Sequence, residues 1–174
     1  MPPSTEVVLT DEGIQAGGTW VYFGMREEET MEAVTAVLGD PEVDSGWIDA
    51  LSSPFGVCPP PLVRVVEWGG FSLYFTQADS DFWLGGVRHF FSYEYVGAPP
   101  EFATDRGIRI GSTVAELEAA YGGPRFELIE SPLDPAVGFW SYDLAEWTGM
   151  WGFTTGTDPS EIVVSINGGR GCGE

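Results

Sequence analysis

Residues that commonly carry out chemistry are few in this chain. It has one histidine, His89, and two cysteines, Cys58 and Cys172, and all seven basic side chains are arginine. A single imidazole excludes a multi-histidine metal site and leaves one candidate general base. A Cys58–His89 pair is conceivable, but the surrounding FGVCPPP indicates neither a helix N-terminus nor a cationic neighbour to activate the thiol. Without lysine, neither a Schiff base nor a phosphate-binding P-loop can form.

Acidic side chains are numerous, but no group of them has the spacing of a known site. Asp79 and Asp81 begin like a calcium loop, but Trp83 and Leu84 stand where an oxygen ligand and a glycine should follow. A pair of glycosidase carboxylates would need a cleft and a raised pKa, and the sequence indicates neither. We therefore predict no metal, no cofactor and no catalytic set, so the protein is not expected to be an enzyme.

The two cysteines are an even but sparse set. A bridge between Cys58 and Cys172 would close a long loop and fix the C-terminal end of the chain, which would otherwise fray. The alternative is two separate thiols. The sequence leaves both open and favours the disulfide slightly.

Composition predicts a folded, strongly acidic protein. Of 174 residues, 43% are hydrophobic and 14% aromatic, whereas 27 acidic residues face only the seven arginines, for a net charge of −20. Such a field disfavours nucleic acid, and it favours either a cationic partner surface or solubility alone. No apolar stretch approaches the roughly 20 residues of a membrane span. The opening MPPSTEVVLTDEG is typical of a stalk behind a removed export signal, so we expect an extracytoplasmic protein, secreted or held by an upstream lipid anchor.

Two segments of the chain share one helix pattern. TVAELEAAYGGP at Thr113–Pro124 matches TMEAVTAVLGDP at Thr30–Pro41 in its capping threonine, apolar stripe, glycine exit and proline stop. Glu116 follows Thr113 by three residues, which predicts a reciprocal capping box. We expect one helix in each half, capped by Thr30 and Thr113.

Strand-forming segments follow each predicted helix. The expected hairpins are Leu62–Thr76 and Phe139–Thr155, the expected third strands are Val87–Val96 and Glu161–Gly168, and the expected edge strands are Thr19–Met25 and Arg106–Gly111. The prediction is an α+β fold of two tandem helix-plus-antiparallel-β repeats that form one continuous sheet of about six to eight strands, with both helices on one face. The predicted division is a tail over 1–17, a first repeat over 18–97 and a second over 98–174.

The helix ending in Gly-x-Pro, the tryptophan-containing hairpin and the terminal IVVSINGGRGCG resemble a known repeat. They are similar to the repeat of the β-lactamase inhibitory protein family and of related small lipoproteins that assist barrel assembly, over about Gly18 to Cys172. That resemblance implies a continuous sheet whose concave, aromatic-rich face grips a partner protein. The family pattern has a disulfide inside each repeat, whereas here any bridge would join the two repeats.

Aromatic residues in the predicted strands suggest the binding surface, since exposed aromatics on a rigid sheet anchor protein interfaces. We assign Tyr74, Tyr93, Trp151 and Phe153 to the open face and add Asp49 from the acidic loop before the first hairpin. The predicted function is non-catalytic binding of another protein through a concave aromatic and acidic face. The alternatives are an envelope sensor binding a lipid or peptide between helices and sheet, and, less favoured, a hydrolase that uses acidic residues.

Overall fold

The computed structural model of the chain describes residues 7–97 and 101–172. Strands account for 38% and helices for 14%, which confirms a sheet-rich α+β composition. In chain order the elements are β1 (Val7–Thr10), β2 (Gly13–Ala16), β3 (Thr19–Tyr22), α1 (Glu27–Leu38), β4 (Val43–Asp44), β5 (Ile48–Asp49), β6 (Leu62–Trp68), β7 (Phe71–Thr76), β8 (His89–Tyr95), β9 (Ala103–Thr104), α2 (Val114–Tyr121), β10 (Phe126–Glu130), β11 (Gly138–Tyr142), β12 (Met150–Thr154) and β13 (Ile166–Gly169).

These strands form two sheets rather than one. A small sheet has the order β3-β2-β1-β9, and a large one has the order β10-β11-β12-β13-β8-β7-β6-β4, with β5 also paired to β6. The predicted tandem repeats on one continuous sheet are therefore wrong. Three strands, β1 to β3, precede α1 in the first half. The predicted edge strand Arg106–Gly111, which precedes α2 in the second half, is a described stretch without any strand.

The small sheet begins inside the predicted tail. Val7, Leu9, Ile14 and Ala16 are all buried, because alternate residues of the β1–β2 hairpin face the interior. Residues 7–16 are thus part of the fold, which corrects the prediction of a tail over 1–17. Residues 1–6 lie outside the described part of the chain.

Antiparallel pairing builds the large sheet from both halves of the chain. The β6–β7 hairpin turns at Gly69–Gly70 as expected, and β13 pairs with β8. β11 and β12 also pair, although a loop over 143–149 replaces the expected tight turn. The predicted strand Glu161–Gly168 is mostly irregular, since regular pairing begins only at Ile166.

The helix ends agree with the sequence at α2 and differ at α1. Thr113 Oγ1 accepts a hydrogen bond from Glu116 N, and Glu116 Oε2 accepts one from Thr113 N, both at 3.1 Å, which confirms the capping box. α1 begins before the expected cap, because Glu27 N donates to Arg88 O at 3.2 Å and starts the helix there. Thr30 lies inside α1, where its hydroxyl donates to the backbone of the preceding turn.

Hydrophobic residues pack on both faces of the large sheet. The larger core contains Val34 of α1, Leu117 of α2, and Phe71 and Trp140 of the sheet, so both helices cover the same face. A smaller cluster covers one end of the opposite face, and it contains Ala50, Cys58, Val63, Val65, Tyr74, Phe91 and Trp147. Elsewhere on that opposite face, Phe139, Trp151 and Phe153 are partly exposed.

A disulfide joins Cys58 and Cys172 across a sequence separation of 114 residues. It connects the loop before β6 to the segment after β13, and Cys58 is buried in the smaller cluster. The bridge favoured by the sequence is present. The alternative of free thiols, and with it a Cys58–His89 nucleophile, is not.

The disulfide should make a large contribution to stability. The Cys58→Ala, Cys172→Ala double variant is expected to lose about 3–5 kcal/mol of unfolding free energy, because the unfolded chain regains the entropy of a long closed loop. Urea denaturation of both proteins measures the difference. Wild-type protein treated with a reductant should match the double variant, and a loss below about 1 kcal/mol would contradict the prediction.

Candidate functional site

Cross-strand pairing arranges the face opposite the helices into rows of side chains. One row crosses the sheet through Glu67, Ser72, Glu94, Asn167, Trp151, Ser141 and Glu127, each directly opposite the next. We call it the polar row. It places three carboxylates and one indole ring on a single line, although these residues are scattered along the sequence.

Beside the polar row runs an apolar row of Ile129, Phe139 and Phe153 on β10, β11 and β12. Phe139 and Phe153 also contact Trp151, with ring centroids 6.1 and 6.2 Å from the indole and 5.8 Å from each other. All three aromatic rings are partly exposed. We call Phe139, Trp151 and Phe153 the aromatic cluster.

A groove of about 340 Å³ lies where the two rows meet. Its lining includes Glu94, Asn167, Trp151, Phe153, Leu133 and Cys172. Leu133, in the loop between β10 and β11, is 87% exposed and adds apolar surface to this lining. The groove therefore combines exposed apolar surface with the Glu94 carboxylate.

The C-terminal segment supports the aromatic cluster from one side. Trp151 Nε1 donates to Gly169 O at 2.9 Å. At Gly171, where φ is +73°, a Cβ atom would lie only 2.8 Å from the Trp151 ring. This close packing fixes the indole, and the Cys58–Cys172 disulfide holds the segment in place.

Tyr74 orients the acidic side of the groove. Its hydroxyl donates to Glu94 Oε2 at 3.5 Å. Burial, followed by the negative charge of Glu94, raises the pKa of Tyr74, so the hydroxyl remains protonated and can donate. The Tyr74 side chain is only 7% exposed, so its contribution to the groove is to hold the Glu94 carboxylate in position.

The predicted site residues fall in different places. Trp151 and Phe153 line the groove, while Tyr74 lies on the same face beneath the smaller cluster. Asp49 is at the far edge of the sheet, where its carboxylate accepts from Leu51 N at 2.9 Å and caps a short 3-10 helix. The aromatic pair on β12 is thus the part of the predicted set that meets at the groove.

Tyr93 is on the opposite face from the predicted one. It is fully buried in the larger core, and its hydroxyl donates to Thr10 O at 2.7 Å. The β7–β8 register shifts between Tyr74 and Phe75, which pair with Ser92 and Phe90. This bulge turns Tyr93 inward, because one extra residue reverses the alternation of side chains.

Sequence reasoning missed several residues of the aromatic cluster and the groove. Phe139 of the aromatic cluster could have been found, since Phe139 and Ser141 alternate around the buried Trp140. Glu94 and Asn167 could not have been found from the sequence, because they become neighbours only through the pairing of β13 with β8. Leu133 lies in a loop and has no periodic signal.

The single histidine stabilises a loop. His89 Nδ1 donates to Val87 O at 2.7 Å, so Nε2 accepts from the Ser80 hydroxyl at 2.9 Å. Ser80 Oγ also accepts from the backbone N–H groups of Phe82 and Trp83. The pair resembles a serine nucleophile and its base, but these bonds commit the hydroxyl to the turn.

Within the part of the chain that the structure describes, no cluster of three or more His, Cys, Asp or Glu side chains could hold a metal ion. Neither α1 nor α2 has the length and apolar character needed to cross a membrane. Comparisons with protein-family models, curated proteins and solved structures give no match. The resemblance to the β-lactamase inhibitory protein family therefore stays a prediction.

Burial lowers the pKa of His89, which predicts a pH effect on stability. In the unfolded chain, His89 becomes protonated near pH 6.5, whereas in the folded protein it becomes protonated only at a lower pH. The stability that His89 contributes is complete above about pH 6.5 and is lost as the pH falls toward the folded pKa. Unfolding free energies of wild type and His89→Gln, measured between about pH 7.5 and 5, should therefore converge on acidification.

A difference between the two proteins that stays constant over this range would contradict the prediction. The His89→Gln comparison also removes the contribution of the many carboxylates, because both proteins carry the same set.

Proposed function

We propose that the protein is a non-catalytic binding module for another protein and that its contact surface is the groove together with the apolar row. The supporting observation is the partly exposed aromatic cluster, beside the exposed Leu133, on a paired and covalently braced sheet. Aromatic residues at the centre of a rigid surface usually provide most of the binding energy of an interface.

The charge of the face indicates the chemistry of the partner. Glu94 borders the groove, and Glu67 and Glu127 lie at the two ends of the polar row. The whole chain carries a net charge of −20. A complementary surface would present an apolar side chain to the aromatic cluster and an arginine or lysine to Glu94.

We also propose that the protein acts outside the cytoplasm. Support comes from the Cys58–Cys172 disulfide, because such bonds persist in oxidising compartments and are rare where glutathione keeps thiols reduced.

A second function, binding of a small ligand between the helices and the sheet, has less support. Among the described residues that space is packed with large buried side chains, including Tyr93, Leu117 and Trp140. The groove on the opposite face is the better-formed site, so we keep protein binding as the proposal.

The test is selection of peptides from a random-sequence library on the immobilised wild-type protein. We expect the recovered peptides to combine a basic residue with a nearby large apolar one. Trp151→Ala should weaken their binding at least about 30-fold, as for a central interface residue. Isothermal titration calorimetry measures the affinities.

Trp20→Ala is the matched control, since Trp20 is 39% exposed but lies on β3 of the small sheet. It should leave the affinities unchanged. Failure to recover any peptide, or equal loss in both variants, would overturn the proposed function.

The role of Glu94 gives a separate prediction. Glu94→Gln should reduce the affinity for basic peptides about fivefold at low salt, and wild type and variant should converge as salt rises. Glu118→Gln is the control, because Glu118 is exposed on α2 on the helix side of the sheet. A Glu94 variant with unchanged affinity and salt dependence would show that the carboxylate does not contact the partner.

A further inference from the structure

The outer strand of the large sheet adjoins the proposed contact surface. β10 is the terminal strand and pairs with β11. Within residues 7–97 and 101–172, no strand pairs with its other side. An unpaired edge of this kind presents backbone N–H and C=O groups that can receive another strand.

Hydrogen bonds at both ends of β10 show which groups face outward. Asp143 N donates to Arg125 O at 2.9 Å, and Ser131 N donates to Val137 O at 2.7 Å. Because bonding alternates along an antiparallel pair, the odd-numbered residues between them direct their backbone groups toward β11. Leu128 and Glu130 therefore direct their N–H and C=O groups away from the sheet.

The side chains of β10 extend both rows of the candidate site. Glu127 lies opposite Ser141 and ends the polar row, whereas Ile129 lies opposite Phe139 and ends the apolar row. Both side chains are exposed, and Ile129 keeps 40% of its surface accessible. A strand added along β10 would continue each row by one position.

We propose that the partner docks as an additional antiparallel β-strand on β10. Its extended segment would place a basic residue beside Glu127 and, two positions away on the same face, an apolar residue beside Ile129. Its backbone would bond to the outward groups of Leu128 and Glu130, which is the geometry of β-augmentation. This inference rests on the proposed function and adds to it the way in which the partner binds.

Charge argues against a second copy of this chain as the added strand. Antiparallel pairing of two β10 strands centred on Leu128 would place Glu127 beside Ile129 and Glu130 beside Phe126, so no acidic side chain would face a basic one. It would also bring together two chains that each carry −20. A segment with a basic and an apolar residue two positions apart would instead place the basic side chain beside Glu127 and the apolar one beside Ile129.

The direct test uses the peptides selected on the wild-type protein and follows amide hydrogen exchange by NMR. In the complex, exchange at Leu128 and Glu130 should slow at least about tenfold, because their N–H groups gain acceptors. The amides of Glu127 and Ile129 already bond to β11 and should change little. Binding that leaves the Leu128 and Glu130 amides unprotected would overturn the inference.

A pair of variants tests the same edge by affinity. Leu128→Pro removes the outward N–H, which an edge strand tolerates, and should weaken peptide binding about tenfold. Leu128→Ala keeps that N–H and should bind within about twofold of wild type. Circular dichroism checks that both variants fold. If Leu128→Pro does not fold, the exchange measurement on the wild-type protein decides the question.

The outcomes separate the two proposals. Peptides that require Trp151 but bind Leu128→Pro as tightly as wild type would leave the proposed function in place and remove the added strand. Peptides that bind independently of Trp151, or the recovery of none, would remove both.

Discussion

The pairing of β13 with β8 is the constraint on which the large sheet depends. It places Asn167 opposite Glu94 and so joins strands from the two halves of the chain. The same register aligns Trp151 with both residues in the polar row. A shift of one residue would turn the β12 aromatics toward the helices, because side chains alternate strictly between faces. The groove is therefore a consequence of register.

Covalent bracing strengthens the same region. The disulfide holds the segment that follows β13, and this segment packs against the Trp151 ring and receives its indole hydrogen bond. Tyr74 provides comparable support for Glu94 from the smaller cluster. An aromatic and an acidic group are thus both held in place in the free protein, which would reduce the entropy lost if the proposed partner binds there.

The sequence predicts local structure better than it predicts the architecture. The capping box of α2 and the β6–β7 hairpin depend on residues close in the chain, and both are correct. Trp151 and Phe153 lie on the face opposite the helices, because side chains alternate regularly along β12. Tyr93 lies on the helix side, because a bulge reverses its face. The two sheets were missed for a related reason, since the partners of a strand depend on contacts between distant segments.

We propose that the face opposite the helices binds another protein through its aromatic cluster. The most direct measurement is NMR of the tryptophan indole N–H signals during titration with a peptide selected on the wild-type protein. We expect a shift for Trp151 and no shift for Trp20, which lies on the small sheet. A peptide that shifts Trp20 and leaves Trp151 unchanged would contradict it.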